Sequence, residues 1–231
     1  MYLQITDHCN MACAHCCYSC SPRKKNFMPE VLVDAAIDFI LENEGEDCAL
    51  SIGGGEPTLH PRFWSILGQC MGSFASVWLA TNGSQTKTAL ALAGMAEKGV
   101  IGCDLSLDPY HAAIDQRVIS AFKGRANGWR SNDDDRRGIR DVTQAHKSPL
   151  RAGRAIRTQV WVSEGCCCED HLIDPHGNVW SCGCKKLLVG HVLSGWNRSG
   201  ELLRESEMAN GECLFHSRVG KHILSELRRA I

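Results

Sequence analysis

The 231-residue sequence predicts an α/β fold built on a parallel sheet, followed by a small cysteine-rich module. Three observations carry that expectation. Short strand patterns alternate with helical ones from the first residue to about Asp108. Each strand pattern ends in a loop of polar or glycine residues. The 14 cysteines fall mainly into two groups, one behind the first strand and one in the last third.

Taken in order, Tyr2 to Thr6 reads as a strand running into a cysteine loop. Pro29 and Glu30 open a helix whose apolar face is Val33, Ala36, Ile37, Ile40 and Leu41. Ala49 to Gly53 is a second strand, ending in Gly53-Gly54-Gly55. Pro61 opens a second helix, with Phe63, Trp64, Leu67 and Met71 at helical spacing. Ser76 to Thr81 is a third strand, and Ser84 caps a helix that stops near Gly99. Val100 to Leu107 alternates through Ile101, Cys103, Leu105 and Leu107 as a fourth.

Strand–loop–helix repeats of this kind imply parallel strands with right-handed crossovers. In such sheets the loops at the carboxyl ends of the strands carry the chemistry. Four unusual segments sit at those ends: Cys9 to Cys16, Gly53 to Pro57, Thr81-Asn82-Gly83 and Ser106-Leu107-Asp108. Residues 125–157 have no clear period and read as a loop or lid, or as one degraded strand–helix unit. Arg157 to Val162 reads as a last strand, and Leu172 to Cys182 as a hairpin turning at Pro175-His176-Gly177-Asn178. Gly220 to Ala230 reads as a closing helix. The expected division is a core over residues 1–163 and a cysteine-rich module over 164–231.

Composition removes several classes of function. Hydrophobic residues make up 44% and charged residues 22%, ordinary globular values. A formal net charge of −1 gives no global attraction to a nucleic acid or an anionic membrane. Arg23-Lys24-Lys25, Arg136-Arg137 and Arg228-Arg229 are short and read as solvated faces. No apolar run approaches the roughly 18 residues of a membrane span and no charged-then-apolar leader opens the chain, so a cytoplasmic protein is expected. In a reducing compartment, clustered cysteines mean metal or redox chemistry rather than disulfides. Cys48, Cys70 and Cys103, set in apolar surroundings, read as small buried hydrophobes.

Cys9-x3-Cys13-x2-Cys16 places three thiolates in one loop. Three ligands on a four-iron cube leave one iron open to a small molecule. The competing reading is a zinc knuckle, with Cys17 or Cys20 as the fourth ligand. The neighbouring motifs bear on the choice. C-x3-C-x2-C after the first strand, Gly54-Gly55-Glu56-Pro57 after the second, Thr81-Asn82-Gly83 after the third and Ser106-Leu107-Asp108 after the fourth together resemble the radical S-adenosylmethionine (SAM) superfamily, over residues 1 to 120 or so.

That resemblance implies a partial (β/α) barrel and an oxygen-sensitive 4Fe-4S cluster on Cys9, Cys13 and Cys16. It also implies a SAM site formed by Gly54, Gly55, Glu56, Asn82, Ser106 and Asp108, with His15 where relatives place an aromatic near adenine. Reductive cleavage of SAM would yield a 5′-deoxyadenosyl radical that takes hydrogen from a substrate, with a flavodoxin or ferredoxin as electron donor. No individual catalytic residue is assigned.

In the last third, Cys167-x9-Gly177-x4-Cys182 followed by Cys213 resembles the twitch module, the shorter relative of the SPASM domain. A second iron–sulfur cluster is implied, on Cys167, Cys182, Cys184 and Cys213, with Cys166 and Cys168 competing for the first place. The same spacing would also serve a structural zinc. The resemblance favours a ribosomally made peptide as substrate, presented by a partner because no leader-binding region is visible. The runner-up is a nucleic acid base, nucleoside or other small molecule, suggested by Arg151, Arg154 and Arg157. A non-catalytic iron–sulfur carrier is a third class, which the aminoacyl-binding loop at Gly54 to Glu56 disfavours.

Overall fold

The computed structural model describes residues 1–123, 135–143, 151–160 and 170–205, with the single positions 225 and 229. Strand β1 (Tyr2–Thr6) leads through the cysteine loop to helix α1 (Glu30–Glu44), then β2 (Ala49–Gly54), α2 (Phe63–Ser73) and β3 (Ser76–Thr81). Helix α3 (Thr86–Glu97), β4 (Gly102–Ser106), α4 (Gln116–Phe122), β5 (Arg137–Arg140) and α5 (Arg154–Thr158) follow. The chain continues through β6 (Leu172–Ile173), β7 (Asn178–Trp180), β8 (Leu188–His191), β9 (Gly195–Trp196) and α6 (Arg198–Glu205).

These strands make one sheet in the order β5-β4-β3-β2-β1-β6-β7-β8-β9. Every pair from β5 to β6 is parallel, and those from β6 to β9 are antiparallel. The parallel part with its crossover helices is the partial (β/α) barrel the sequence implied. Its core is Leu3, Ile5, Leu50, Ile52, Leu79, Ile101, Cys103 and Leu105, all buried. By register these residues share one face of the sheet, where helix residues join them in the core, while the other face carries Gln4, Thr6, Ser51, Gly53 and Asp104. Cys70 and Cys103 are fully buried, and Cys48 packs against the core edge.

Some local expectations need correction. The apolar stripe of α2 is Phe63, Ile66, Leu67 and Cys70, an i, i+3, i+4, i+7 series, and Trp64 stands on the outside at 47% exposure. Ser84 does not cap α3, whose first residue follows Gln85. Residues 137–140 form β5, parallel to β4, so this part of the expected lid is the strand of a strand–helix unit. Arg157 and Thr158 are helical in α5, not the start of a strand. Residues 124–134, 144–150 and 161–162, and most of the expected closing helix, lie outside the described residues.

The hairpin forms as expected, with β6 and β7 antiparallel. It joins the barrel sheet directly, because Tyr2 and Leu3 of β1 pair with Leu172 and Ile173 of β6.

Candidate functional site

The ends of the first three strands are tied together through one carboxylate. Glu56, only 1% exposed, accepts hydrogen bonds from Thr58 N and Thr58 Oγ1 at 3.3 and 2.6 Å. It also accepts from Thr81 Oγ1 at 2.8 Å and from Asn82 N at 2.7 Å. Burial pushes its carboxyl above the usual range, against the pull of those hydrogen bonds. Asn82 carries the link on to the cysteine loop, its Nδ2 donating to Asn10 Oδ1 at 3.0 Å and lying 3.7 Å from Cys9 Sγ. Ser84, expected as a cap, instead donates from Oγ to Asn10 Oδ1 at 3.2 Å.

The glycines between these anchors allow backbone to press on backbone. Gly55 N donates to Thr6 O, and Glu56 N to His8 O, both at 2.9 Å. A Cβ on Gly55 would sit 2.1 Å from His8 O, so only glycine lets the two loops meet. Gly54, Gly55, Glu56 and Asn82 are thus brought against Cys9.

The three thiols of the motif lie together with Met11, Tyr18 and Cys20 in one small apolar cluster. Burial pushes Cys9 and Cys13 up to about 11. The hydrogen bond between the Cys16 and Cys20 thiols draws the first down and pushes the second up. Thiols held protonated by burial become ligands once a cation compensates their charge. Among the described residues, the group of three metal-capable side chains with ligand atoms within 4.8 Å of one another is His15, Asp108 and His111, not the cysteines. One tetrahedral zinc, at a Zn–S distance of about 2.3 Å, would hold its sulfurs about 3.8 Å apart. The sulfurs of Cys9, Cys13 and Cys16 do not all lie within 4.8 Å of one another.

His15, Asp108 and His111 form a second polar group beside the cysteine loop. His15 Nε2 lies 3.8 Å from Asp108 Oδ2, and His111 Nδ1 lies 2.9 Å from Asp108 Oδ1 without an aligned hydrogen bond. The Asp108 side chain is fully buried, its Oδ1 accepting from Tyr110 N at 2.9 Å. Among the described residues, His15 Nδ1, Asp108 Oδ2 and His111 Nδ1 have no hydrogen-bond partner. Burial holds the His15 ring below the usual imidazole range. The Tyr110 ring lies 4.9 Å from the His15 ring, tilted at 42°. Ser106 ends β4 opposite Arg140 of β5. Sequence reasoning did not single out His111, although its Asp-x-x-His spacing after a strand end was visible.

Of the C-terminal cysteines, Cys182 is buried and Cys184 half-buried, in the turn after β7. That turn rests on the cysteine loop: a Cβ on Gly183 would lie 3.2 Å from Tyr18 Oη, and Lys185 Nζ donates to Gln4 Oε1 at 2.5 Å. Gln4 Nε2 in turn lies 3.8 Å from Cys20 Sγ. Cys166, Cys167, Cys168 and Cys213 lie outside the described residues.

Comparison with known proteins agrees with this geometry. Mycofactocin maturase MftC of Mycobacterium ulcerans is 31% identical over 119 residues, 51% of this chain and 31% of that protein. The antilisterial bacteriocin subtilosin biosynthesis protein AlbA of Bacillus subtilis is 28% identical over 127 residues, 54% of this chain and 27% of its own. The chain therefore spans about three-tenths of the length of these relatives. In fold it resembles BtrN, solved with AdoMet and 2-DOIA, at a TM-score of 0.57 and 16% identity over 83% of this chain and 76% of that one. It also resembles anSMEcpe, solved with AdoMet, at 0.51 and 16% over 83% and 77%. Residues 3–119, from β1 into α4, match the model of the Radical SAM superfamily, and the chain belongs to that superfamily.

Proposed function

We propose that this chain is a radical SAM enzyme that modifies a ribosomally made peptide, with Cys9, Cys13 and Cys16 holding a 4Fe-4S cluster. The observation that carries this reading is the Glu56–Asn82–Cys9 linkage, which ties the loops after β1, β2 and β3 into one cradle. The donor set fits the group, since three thiols leave one iron open and the Gly54–Gly55 backbone lies against the cysteine loop where a side chain could not. Once bound, the cluster supplies the electron that cleaves SAM into methionine and a 5′-deoxyadenosyl radical able to take hydrogen from the substrate.

The protein's part is to orient and to shield. Gly54 and Gly55 present backbone to the aminoacyl group, and Glu56 holds that loop rigid through its four acceptor bonds. Ser106, Asp108 and His15 face the nucleoside side, where buried polar atoms have unused hydrogen-bonding capacity. The names of MftC, a maturase, and AlbA, a bacteriocin biosynthesis protein, support a peptide substrate. Arg154 gives no support to a nucleic acid reading, because its guanidinium is bonded to backbone carbonyls.

The division into a core over 1–163 and a twitch-like module over 164–231 belongs to the same proposal. In it Cys182 and Cys184, with Cys167 and Cys213, hold a second iron–sulfur cluster. The chain works in the cytoplasm with a flavodoxin or ferredoxin as donor. Among the described residues no helix is long and apolar enough to cross a membrane.

Anaerobically reconstituted protein should bind iron and sulfide and release 5′-deoxyadenosine from SAM when reduced. Changing Cys9, Cys13 and Cys16 together to alanine should remove one cluster's worth of iron and all SAM cleavage. Unchanged iron and cleavage in that variant would refute the assignment. Glu56→Ala should keep the iron and weaken SAM binding by about 1.5–3 kcal/mol, the worth of hydrogen bonds to a charged group.

A further inference from the structure

Arg154 opens α5, about 140 residues after the cysteine loop in sequence, yet it bonds to that loop at three carbonyls. Its Nη1 donates to Cys13 O at 2.8 Å and its Nη2 to Cys20 O. Its backbone N–H donates to Cys16 O at 2.9 Å. One turn later Thr158 Oγ1 donates to Ala14 O at 2.8 Å. Gly153, at φ +57°, brings the chain so close that a Cβ there would lie 2.1 Å from Cys17 O. The carbonyls of Cys13, Ala14, Cys16 and Cys20 lie in irregular backbone, outside any helix or strand ladder that would pair them. Cys13 O and Cys16 O also accept turn bonds from Cys16 N and Ser19 N within the loop, and residues 153–158 add a donor to each of the four. The matching family model ends at residue 119, well before them.

We infer that Arg154 is a positioning residue for the cluster on Cys9, Cys13 and Cys16, clamping the loop in its metal-holding shape and placing a fixed positive charge beside it. The inference rests on the proposed ligand set. The forked guanidinium reaches two carbonyls at once, which a lysine ammonium on its flexible stem does not reproduce. The charge acts separately from the fork. A cation near a cluster favours its reduced, more negative state, so the charge raises the reduction potential.

The two contributions separate in variants of the full chain, reconstituted anaerobically and checked for folding by circular dichroism. Two quantities are read: the rate of iron loss to a ferrous chelator, and the midpoint potential from a redox titration followed by electron paramagnetic resonance. R154Q should lose iron several-fold faster than wild type, with its midpoint shifted negative. R154K should also lose iron faster but keep a midpoint near wild type. T158V, which removes the bond to Ala14 together with the hydroxyl's contacts to Arg154 O and Ala155 O inside α5, should show a smaller increase in iron loss and no shift. A folded R154Q with the wild-type rate and midpoint overturns the inference while leaving the cluster assignment standing. If R154Q does not fold, R154K decides, and a wild-type rate of iron loss in R154K is equally fatal. A wild-type chain that binds no iron removes both readings together.

Discussion

Strands β1 to β4 run five or six residues each, whereas β6 to β9 run two to four. The two sets share one sheet and one apolar core and meet where β1 pairs with β6. The parallel half buries one apolar face under its helices, with Leu3, Ile5, Leu50, Ile52 and Leu105 at 1% exposure or less. Its stability is in the strands, which frees the loops at their ends for chemistry. The antiparallel half has shorter strands, whose Leu172, Ile173, Val179 and Val189 are also fully buried, and polar bonds fix its turns. Asp174, 5% exposed, accepts from His176 N at 2.9 Å, from Asn178 N at 3.2 Å and from Trp180 Nε1 at 2.8 Å, fixing the β6–β7 turn. Trp196 then ties this half to α1, its ring 5.1 Å from Phe39 and its Nε1 bonded to Asn43 Oδ1 at 2.8 Å. The second half folds on the first.

That dependence makes the largest expected effect a core substitution felt everywhere. Leu3→Ala removes a fully buried side chain from the strand flanked by β2 and β6. The expected loss is about 2–5 kcal/mol, read by denaturant unfolding. Amides in both halves should lose protection together in hydrogen exchange. If residues 172–196 stay protected while β2 and β3 exchange freely, the hairpin half folds independently and the comparison fails.

The reverse substitution should stay local. Asp174→Ala strips the turn of its common acceptor, at a cost of about 1.5–3 kcal/mol. Exchange should quicken at the amides of β6 to β8 and stay slow at Ile52 and Leu79. A loss spread evenly over both halves would show that the turn supports the barrel as well.

Legibility in the sequence follows the same contrast. Residues 2–6 and 76–81 were readable as strands to the residue, because Leu3 and Ile5, and Val77 and Leu79, alternate with residues of the other face. The convergence of four loops followed from topology alone, since parallel strands point their carboxyl ends one way. The edge strand β5, Arg137-Gly138-Ile139-Arg140, was not readable. Paired only with β4 among the described strands, it carries polar residues where a central strand would be apolar. Trp64 was misplaced because Trp64, Leu67 and Met71 also fit helical spacing, one position off the inner face formed by Phe63, Ile66, Leu67 and Cys70. Arg154 looked like part of a basic cluster, since no local pattern reveals a partner 141 residues away.

The smallest effect tests whether the halves unfold as one, using two histidines that sit on either side of the junction. His60, 6% exposed, lies after β2, and its Nε2 bonds to Met28 O at 3.0 Å while its Nδ1 accepts from Arg62 N at 3.1 Å. Those two bonds together need the neutral ring with its proton on Nε2, because a protonated Nδ1 would face another N–H. Burial lowers its pKa from 6.5. His171 precedes β6, with its ring 5.1 Å from that of Trp196, and burial lowers its pKa as well, partly opposed by Glu44. A histidine with a depressed native pKa contributes stability that is present above 6.5 and lost as pH falls through that value, because the unfolded chain takes up the proton first. Stability should therefore fall as pH drops from 7 toward 5.5, and both His60→Gln and His171→Gln should flatten the slope. Burial raises Glu56, which acts in the opposite sense above pH 4.5, but Glu56 is common to every variant and cancels in their differences. If the sheet melts in a single transition, either substitution should flatten the pH dependence of that transition. Two transitions, with His171→Gln altering only one, would locate a boundary at the β1–β6 pairing and separate the hairpin half from the barrel.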